Sequence, residues 1–469
     1  MNYASVVRVL ALLMLILAGG ALSGAGVAAA FGETSQVIAF SAAALSLTVF
    51  GSSVLLLSPK PARRARPSDA LAVVLLWWLM APIASALPFL FGVANASPVA
   101  AVFEAASCLT TTGHSVLVFG EGGWPASLIY WRGLLHLIGA YAAVVMAAGV
   151  FAAINLGGPG IHRTVLFTVP ATSYFDAMPR IYVAVGLMLG ISLAFILLLL
   201  LVTGVPPGRA LADAVSVITT GLVLPGAATA TPPSLAASGV LTFGMVIGAL
   251  GLAIWLPLRV GSLKSAVLDP ETVTFAGLAV LFAAALIPLG FAPDDAAAWS
   301  VSALSTSGLP LSAGAAGASV PLTLHVLPCL IGGSALAAAG GIKIARFIVL
   351  GRRAGQEFLQ LGYRRSVLSF RFRDRELDER SVIGVWVYFI GYVVAVFVLM
   401  TAFSFAGDTI GDSIRLAIGG LTSSGGLIAA AGRTALTEAE QGLLVIAMLL
   451  GRVEILTVLP ALSLSFWRG

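Results

Sequence analysis

Hydroxyl residues followed by glycine recur four times between strongly apolar stretches: Leu109-Thr-Thr-Thr-Gly113, Ile218-Thr-Thr-Gly221, Leu304-Ser-Thr-Ser-Gly308 and Leu421-Thr-Ser-Ser-Gly425. Such sequence suits lipid poorly. Extended backbone enclosed by protein at membrane depth can instead aim its carbonyl oxygens at a dehydrated cation, and glycine lets that backbone approach an ion closely. One Thr-Thr-Gly means little, because Thr and Ser often bond back to helix carbonyls. Four at matching places imply four walls around one hole. The candidate ligands are the backbone carbonyls of Thr110, Thr111, Thr112 and Gly113, of Ile218, Thr219, Thr220 and Gly221, of Ser305, Thr306, Ser307 and Gly308, and of Thr422, Ser423, Ser424 and Gly425. None of these segments carries a carboxylate, which argues against Ca²⁺ or Mg²⁺ and for a monovalent ion.

The elements that would hold these segments follow from the apolar pattern. The chain is 59% hydrophobic and 10% charged, with 52 glycines and a mean hydropathy of +1.04, the composition of an integral membrane protein. About ten spans of roughly 20 residues fit at 6–31, 36–58, 69–92, 126–153, 181–204, 236–257, 272–291, 320–350, 382–405 and 438–466. The predicted fold is all-α, with the last eight spans forming four pseudo-symmetric units of span, short helix, Thr/Ser-Gly segment and span. The expected divisions are an N-terminal pair at 1–67 and pore units at 68–180, 181–271, 272–381 and 382–469. Helices such as 98–109 and 411–421 are too short to cross a bilayer and suit re-entrant pore helices. With their C-terminal ends inward, their dipoles favour a cation. Glu104 and Asp213 lie on two of them.

Loop charge predicts orientation. Lys60, Arg63, Arg64, Arg66, Arg163, Arg180, Arg259, Lys264 and the basic stretch from Arg352 to Arg380 fall on one side. Glu33, Glu121, Asp294, Asp295, Asp408 and Glu438 fall on the other, with Arg433 as an exception. The positive-inside rule makes the first side cytoplasmic, as it does the N-terminus, and sends the four segments in from outside. The 352–380 stretch reads as charge near anionic headgroups or as a docking site for a cytoplasmic partner.

Intramembrane charge needs a role. Arg452 lies near the middle of the last span, where a cation faces a cavity or a partner. Glu454, two residues on, points to another helix face. Lys343 follows Gly332-Gly-Ser-Ala-Leu-Ala-Ala-Ala-Gly-Gly341, a stretch able to break its span, although Leu336-Ala-Ala-Ala339 is helix-prone. His114 is expected at the outer vestibule, and His136 and His325 as lone partners of neighbouring helices. Cys108 and Cys329 read as packing residues. No HExxH or GxSxG motif and no paired intramembrane aspartates occur, so enzymatic chemistry is not expected.

The four-unit layout, Thr110-Thr-Thr-Gly113, Tyr130-Trp-Arg132, Gly340-Gly-Ile-Lys-Ile-Ala-Arg-Phe347 and Gly451-Arg-Val-Glu454 together resemble the Trk/Ktr/HKT superfamily of potassium transporters, most closely its bacterial TrkH-type uptake subunits. The resemblance covers essentially the whole chain. It implies K⁺ as the transported ion and the only metal, one pore per subunit, and Gly113, Gly221, Gly308 and Gly425 at matching filter positions. It further implies no bound cofactor, a homodimer in the bacterial inner membrane, a TrkA-type nucleotide-binding regulatory partner and no nucleic acid. It makes Arg452 an electrostatic brake below the filter and puts Gly340, Gly341 and Lys343 at an intramembrane gating loop; for Lys343 a positive-inside anchor beside Arg346 stays open. Ile218 replaces a hydroxyl residue and Ser216 stands one residue nearer its glycine than Ser107 or Ser302, so a weakly selective K⁺/Na⁺ pathway is an alternative, as is a cation-coupled secondary transporter. Gly139-Ala-Tyr-Ala142 stands where the family has more glycine, which puts close helix contact there in question.

Overall fold

The computed structural model describes residues 2–59, 67–119, 123–151, 174–225, 234–309, 320–362, 371–372, 375–376, 379–432, 435–453 and 463. Lys60, Arg63, Arg64, Arg66, Glu121, His162, Arg163, Arg433, Glu454 and most of the basic stretch after Gly362 lie outside these residues. The described chain is helical apart from a two-residue antiparallel ladder, Arg371–Phe372 with Arg375–Glu376.

Helices α1 (Tyr3–Ala30) and α2 (Thr34–Leu57) form an N-terminal hairpin. The chain continues through α3 (Pro67–Ser85), α4 (Leu87–Gly92), the short α5 (Pro98–Leu109) and α6 (Ala126–Val145), then α7 (Tyr174–Val202), the short α8 (Pro207–Thr219), α9 (Leu235–Leu250) and α10 (Leu252–Arg259). After α11 (Leu263–Val267) come α12 (Pro270–Leu286), the short α13 (Pro293–Leu304), α14 (Leu322–Ile331) and α15 (Ile344–Gly362). Last are α16 (Glu379–Phe405), the short α17 (Ile410–Leu421), α18 (Gly425–Ala429) and α19 (Glu438–Val453).

Among the described residues seven helices are long and apolar enough to cross a membrane, and an eighth if the bent pair α9 and α10 is one span. Their outward faces carry Ile38, Leu45 and Val49 on α2 and Val273, Val280 and Leu281 on α12, all exposed. Apolar side chains outside and small or polar ones within is the arrangement that lipid demands.

Two of the sequence-drawn spans are not continuous helices. The 236–257 span turns by 88° at Gly251, whose φ of +49° takes it out of the helix. The 320–350 span stops at Ile331 and resumes at Ile344. Between them Leu336-Ala-Ala-Ala339 is buried and non-helical, contrary to its propensity, because tertiary hydrogen bonds take up its backbone.

The N-terminal hairpin is bound to the rest by packing and by hydrogen bonds, among them those of the Glu33 carboxylate, of Asn2 N–H to Asp69 (2.8 Å) and of the Gln36 amide to the Gly92 carbonyl (2.7 Å). The Phe40 ring meets Trp131 edge-on at 5.9 Å. The Glu33 side chain accepts hydrogen bonds from the N–H groups of Ala126 (2.6 Å) and Ser127 (3.2 Å) and from the Ser127 hydroxyl, so an anion from one element caps the electropositive start of α6. Glu33→Ala is therefore expected to cost about 0.5–2 kcal/mol and to lower the detergent unfolding temperature, whereas an unchanged midpoint would show that the cap contributes nothing.

Candidate functional site: four helix ends around one centre

Helices α5, α8, α13 and α17 end alike. Thr111, Thr306 and Ser423, each following a helix cap, and Thr220, the cap of α8, all take left-handed φ values, of +57°, +59°, +53° and +57° respectively, where glycine is usual. Left-handed φ is rare for a β-branched residue and persists only where surroundings impose it. The next N–H reaches back to the carbonyl five residues earlier: Thr112 to Ser107 at 2.8 Å, Gly221 to Ser216 at 2.9 Å, Ser307 to Ser302 at 3.1 Å and Ser424 to Gly419 at 2.8 Å. This closure satisfies the last helix carbonyls and turns the chain away from the helix axis.

The repeat corrects the register of the second segment. Thr220, not Thr219, matches Thr111, so Thr219 matches Thr110, and Ile218 matches Leu109, Leu304 and Leu421. Ser216 then stands in line with Ser107 and Ser302. Each serine bonds the residue seven further on: Ser107 and Ser302 donate to the carbonyls of His114 (2.6 Å) and Leu309 (3.1 Å), and Ser216 accepts from the Val223 N–H (3.1 Å). The hydroxyl this wall lacks is therefore not at Ile218 but one position after the left-handed residue, where the other segments have Thr112, Ser307 and Ser424. Gly221 matches Thr112, and Leu222 stands where the first and third segments have the left-handed glycines Gly113 (φ +76°) and Gly308 (φ +65°).

A second spacing agrees. Thirty residues after Leu109, Ile218 and Leu421 come Gly139, Gly248 and Gly451, and a Cβ on any of the three would collide with a carbonyl oxygen at the end of its short helix, of Leu109, Val217 and Leu421 respectively. Close helix contact at Gly139 is thus present, despite its alanine-rich surroundings.

The segments touch their neighbours in turn. A Cβ on Gly113 would strike the Leu222 backbone, one on Gly308 the Gly426 backbone and one on Gly425 the Thr112 carbonyl. Between the second and third units the Ser307 hydroxyl bonds the Met245 sulfur of α9 at 2.8 Å. Most segment hydroxyls face protein. Thr110, Thr219 and Thr422 each bond back four residues at 2.7 Å, Ser305 bonds back three at 3.0 Å, Thr112 pairs with Thr110 at 2.9 Å, and Ser424 lies 3.5 Å from the Cys329 sulfur.

Behind the first two segments lies an arrangement that sequence reading did not assemble. The Arg132 guanidinium forms a fully buried ion pair with Glu104 and donates to the carbonyls of Gly113 (2.7 Å), Leu222 (3.0 Å) and Val223 (2.7 Å). Glu104 also accepts from the Ser115 hydroxyl at 2.9 Å. One arginine thereby fixes two neighbouring segments from the rear. Tyr130-Trp-Arg132 and Glu104 were each conspicuous in the sequence, but 28 residues separate the partners and no periodicity links them.

Against the third and fourth segments packs the non-helical stretch from Gly332 to Lys343. Its Ser334 N–H donates to Ala249 O (2.8 Å), its Leu336 carbonyl accepts from Leu252 N–H (3.1 Å), and Ile342 and Lys343 N–H reach Leu330 and Ile331 O (2.9 and 3.0 Å). The buried Glu271 carboxylate accepts from Ala335 N–H at 2.8 Å. Gly340 N–H donates to the Thr306 hydroxyl at 2.9 Å, and a Cβ on Gly340 would strike the Thr422 carbonyl. Gly341 and Lys343 both take φ of +83°. The Lys343 ammonium folds back onto the carbonyls of Ala337 (3.2 Å) and Ala339. Arg346 is buried, its guanidinium 3.8 Å from the centre of the Tyr388 ring, so it is not a headgroup anchor.

Arg452 bridges the two levels. Its Nε donates to the Thr110 carbonyl at 2.7 Å, a second nitrogen reaches the Thr110 carbonyl and the Thr111 hydroxyl, and a third reaches the Ala338 carbonyl. Among the described residues its hydrogen-bond partners are neutral oxygens.

The remaining predicted residues are less central. His114 is half-buried, edge-on to Phe103 at 6.3 Å. His136 donates from Nδ1 to the Arg132 carbonyl of its own helix at 2.8 Å, not to a neighbouring helix. His325 packs 5.3 Å from Trp299. Asp213 pairs with Arg209 at 3.4 Å, one turn away. Both cysteines are buried and free, and the described residues hold no cluster of three His, Cys, Asp or Glu side chains able to bind a metal.

Residues 287–465 match the TrkH family model, described as a cation transport protein. The chain is 25% identical to the Trk system potassium uptake protein TrkH of Salmonella typhimurium and to that of Escherichia coli, over 100% of both chains in each case. It is 27% identical to the Trk system potassium uptake protein TrkI of Halomonas elongata over 86% of this chain and 85% of that one. The crystal structure of the potassium transporter TrkH from Vibrio parahaemolyticus superposes with a TM-score of 0.85 at 24% identity, covering 100% of both chains, which shows a shared fold. The TrkH family model thus matches the C-terminal part of the chain, and Trk potassium uptake proteins and the TrkH fold are similar to it over all or most of its length.

Proposed function

We propose that this multi-pass protein is the membrane subunit of a Trk-type potassium uptake system and passes K⁺ through one gated pore. The carrying observation is the fourfold left-handed helix ending at Thr111, Thr220, Thr306 and Ser423, a costly conformation repeated where four segments meet. The segments after it (Thr110 to Gly113, Thr219 to Leu222, Ser305 to Gly308 and Thr422 to Gly425) offer carbonyl oxygens to a dehydrated monovalent ion. The potassium uptake function carried by the names of the relatives supports the same reading. In this account the chain divides into the N-terminal pair and four pore units. Arg452 and the 332–343 stretch close the pore from the cytoplasmic side, the chain lies in a bacterial inner membrane with its N-terminus inside, and it works as a homodimer with a TrkA-type regulatory subunit. No enzymatic step and no bound cofactor enter the mechanism.

The test is the reversal potential of the purified protein in liposomes under opposed K⁺ and Na⁺ gradients. The parent is expected to follow the K⁺ gradient. Gly113→Ser, which forces a side chain onto left-handed backbone against Leu222, is expected to move the potential toward that of Na⁺. Equal K⁺ and Na⁺ permeation in the parent would favour the weakly selective alternative, for which Leu222 at the glycine position of the second segment is the structural ground.

A further inference from the structure

One pattern recurs in the helix that leaves each short-helix segment: His136-Leu-Ile-Gly139 in α6, Met245-Val-Ile-Gly248 in α9, Cys329-Leu-Ile-Gly332 at the end of α14 and Met448-Leu-Leu-Gly451 in α19. Gly139, Gly248 and Gly451 are the glycines that close on the ends of their own short helices, and Gly332 caps α14 at φ +74°. The residue three places before each glycine shares its helix face. Every time it is an imidazole or a sulfur side chain, and all four are buried.

Three of the four reach the segment of the next unit, at the position one after its left-handed residue. The Ser307 hydroxyl donates to Met245 Sδ at 2.8 Å, and the Ser424 hydroxyl lies 3.5 Å from Cys329 Sγ. In the second segment that position is Gly221, and the His136 ring takes the room a side chain would need: a Cβ there would come within 2.6 Å of Cδ2 and 2.9 Å of Nε2. Met448 stands at the equivalent step on α19, which packs against α5, the short helix of the first unit. The atoms presented are alike in chemistry. A thioether sulfur only accepts, and a thiol is a weak donor. Because a carbonyl can only accept, His136 Nδ1 donates to that of Arg132; Nε2 of the neutral ring then carries a lone pair, and it is buried with no hydrogen-bond partner. A strong donor at any of these places would bond the carbonyls of the segment and take their oxygens from an ion. An acceptor leaves them free.

We propose that His136, Met245, Cys329 and Met448 form a ring of positioning residues around the pore segments, each carried by one unit and bracing the segment of the next from behind with an acceptor atom. The proposal rests on the K⁺ reading above and adds the residues that set its ion preference. A hydroxyl turned back onto sulfur fixes the peptide that carries it, so the carbonyl of that peptide stays aimed at the ion. Ion preference then depends on how the units close on one another, because every segment is braced by the helix of the unit before it.

The experiment measures reversal potentials of the purified full chain in liposomes under opposed K⁺ and Na⁺ gradients, with thermal unfolding in detergent alongside. Met245→Leu keeps the volume and removes the acceptor, and is expected to lower the K⁺ over Na⁺ permeability ratio about threefold to tenfold. Cys329→Ala should do the same through the fourth segment. Adding Met245→Leu to Ser307→Ala should lower the ratio no further than Ser307→Ala alone, since both remove one shared interaction. Met14→Leu, at a buried methionine of α1, should match the parent. If the parent follows K⁺ and both Met245→Leu and Cys329→Ala keep its potential, the ring is wrong and the K⁺ reading stands. Additive losses in the double variant also overturn the proposal, because the methionine would then act by packing alone. A parent without K⁺ preference overturns both readings. Should Met245→Leu fail to fold, Cys329→Ala decides alone.

Discussion

Arg132→Ala is expected to destabilise the protein by about 3–5 kcal/mol, the range for breaking a buried ion pair from one side. The substitution strands the Glu104 carboxylate in a fully buried position and leaves the carbonyls of Gly113, Leu222 and Val223 without their shared donor. Removing both charges separates the two roles of the pair. The double variant Glu104→Gln, Arg132→Met leaves no buried charge, so it should regain most of the lost stability, yet still lack the fork that holds the first two segments in register. Its unfolding temperature should therefore approach the parent's while its K⁺ over Na⁺ preference in liposomes stays reduced. Parent-like preference in the double variant would mean that the segments hold their shape without support from behind.

Arg452→Ala should act in the opposite direction on flux. The side chain ties the Thr110 carbonyl and the Thr111 hydroxyl to the Ala338 carbonyl, and hydrogen bonds to charged groups contribute about 1.5–3 kcal/mol each. Part of that is recovered when the guanidinium meets water in an open pore. A net loss to the closed state of about 1.4–2.8 kcal/mol corresponds to a tenfold to hundredfold rise in the open population, read as unstimulated K⁺ flux in liposomes without any regulatory partner. Arg452→Lys should fall between the two, since an ammonium cannot reproduce the planar fork that spans both levels. Flux equal to the parent's in Arg452→Ala would remove this residue from the gate.

Much of this was legible in the sequence, for reasons that differ by element. The long apolar helices and the short helices 98–109 and 411–421 follow from length and hydropathy, and the recurring segments from direct self-comparison. Register was lost where one glycine misled. Gly221 invites alignment with Gly113, but the conformational demand falls on Thr220, and backbone dihedrals leave no mark on a hydroxyl pair. The bend at Gly251 was hidden because apolar sequence runs unbroken through it. The Leu336-Ala-Ala-Ala339 segment defeated propensity, since hydrogen bonds to its carbonyls from Leu252 of α10, Lys343 and Arg452 of α19 outweigh the few tenths of a kcal/mol per residue that local preference supplies. The role of Arg452 as a tie between carbonyls was half visible: its isolation from Glu454 pointed away from its own helix without saying toward what.

The non-helical stretch from Gly332 to Lys343 is attached almost wholly through its main chain: Ser334, Ala335, Gly340, Ile342 and Lys343 by their N–H groups, Leu336 and Ala338 by their carbonyls. Peptide groups are common to every amino acid. Mutational drift can therefore replace the small residues between Gly333 and Gly340 with others of similar bulk and leave every one of these attachments in place. The stretch is fastened by groups largely invisible to selection on side chains, which is how an alanine-rich, helix-prone sequence keeps a non-helical path.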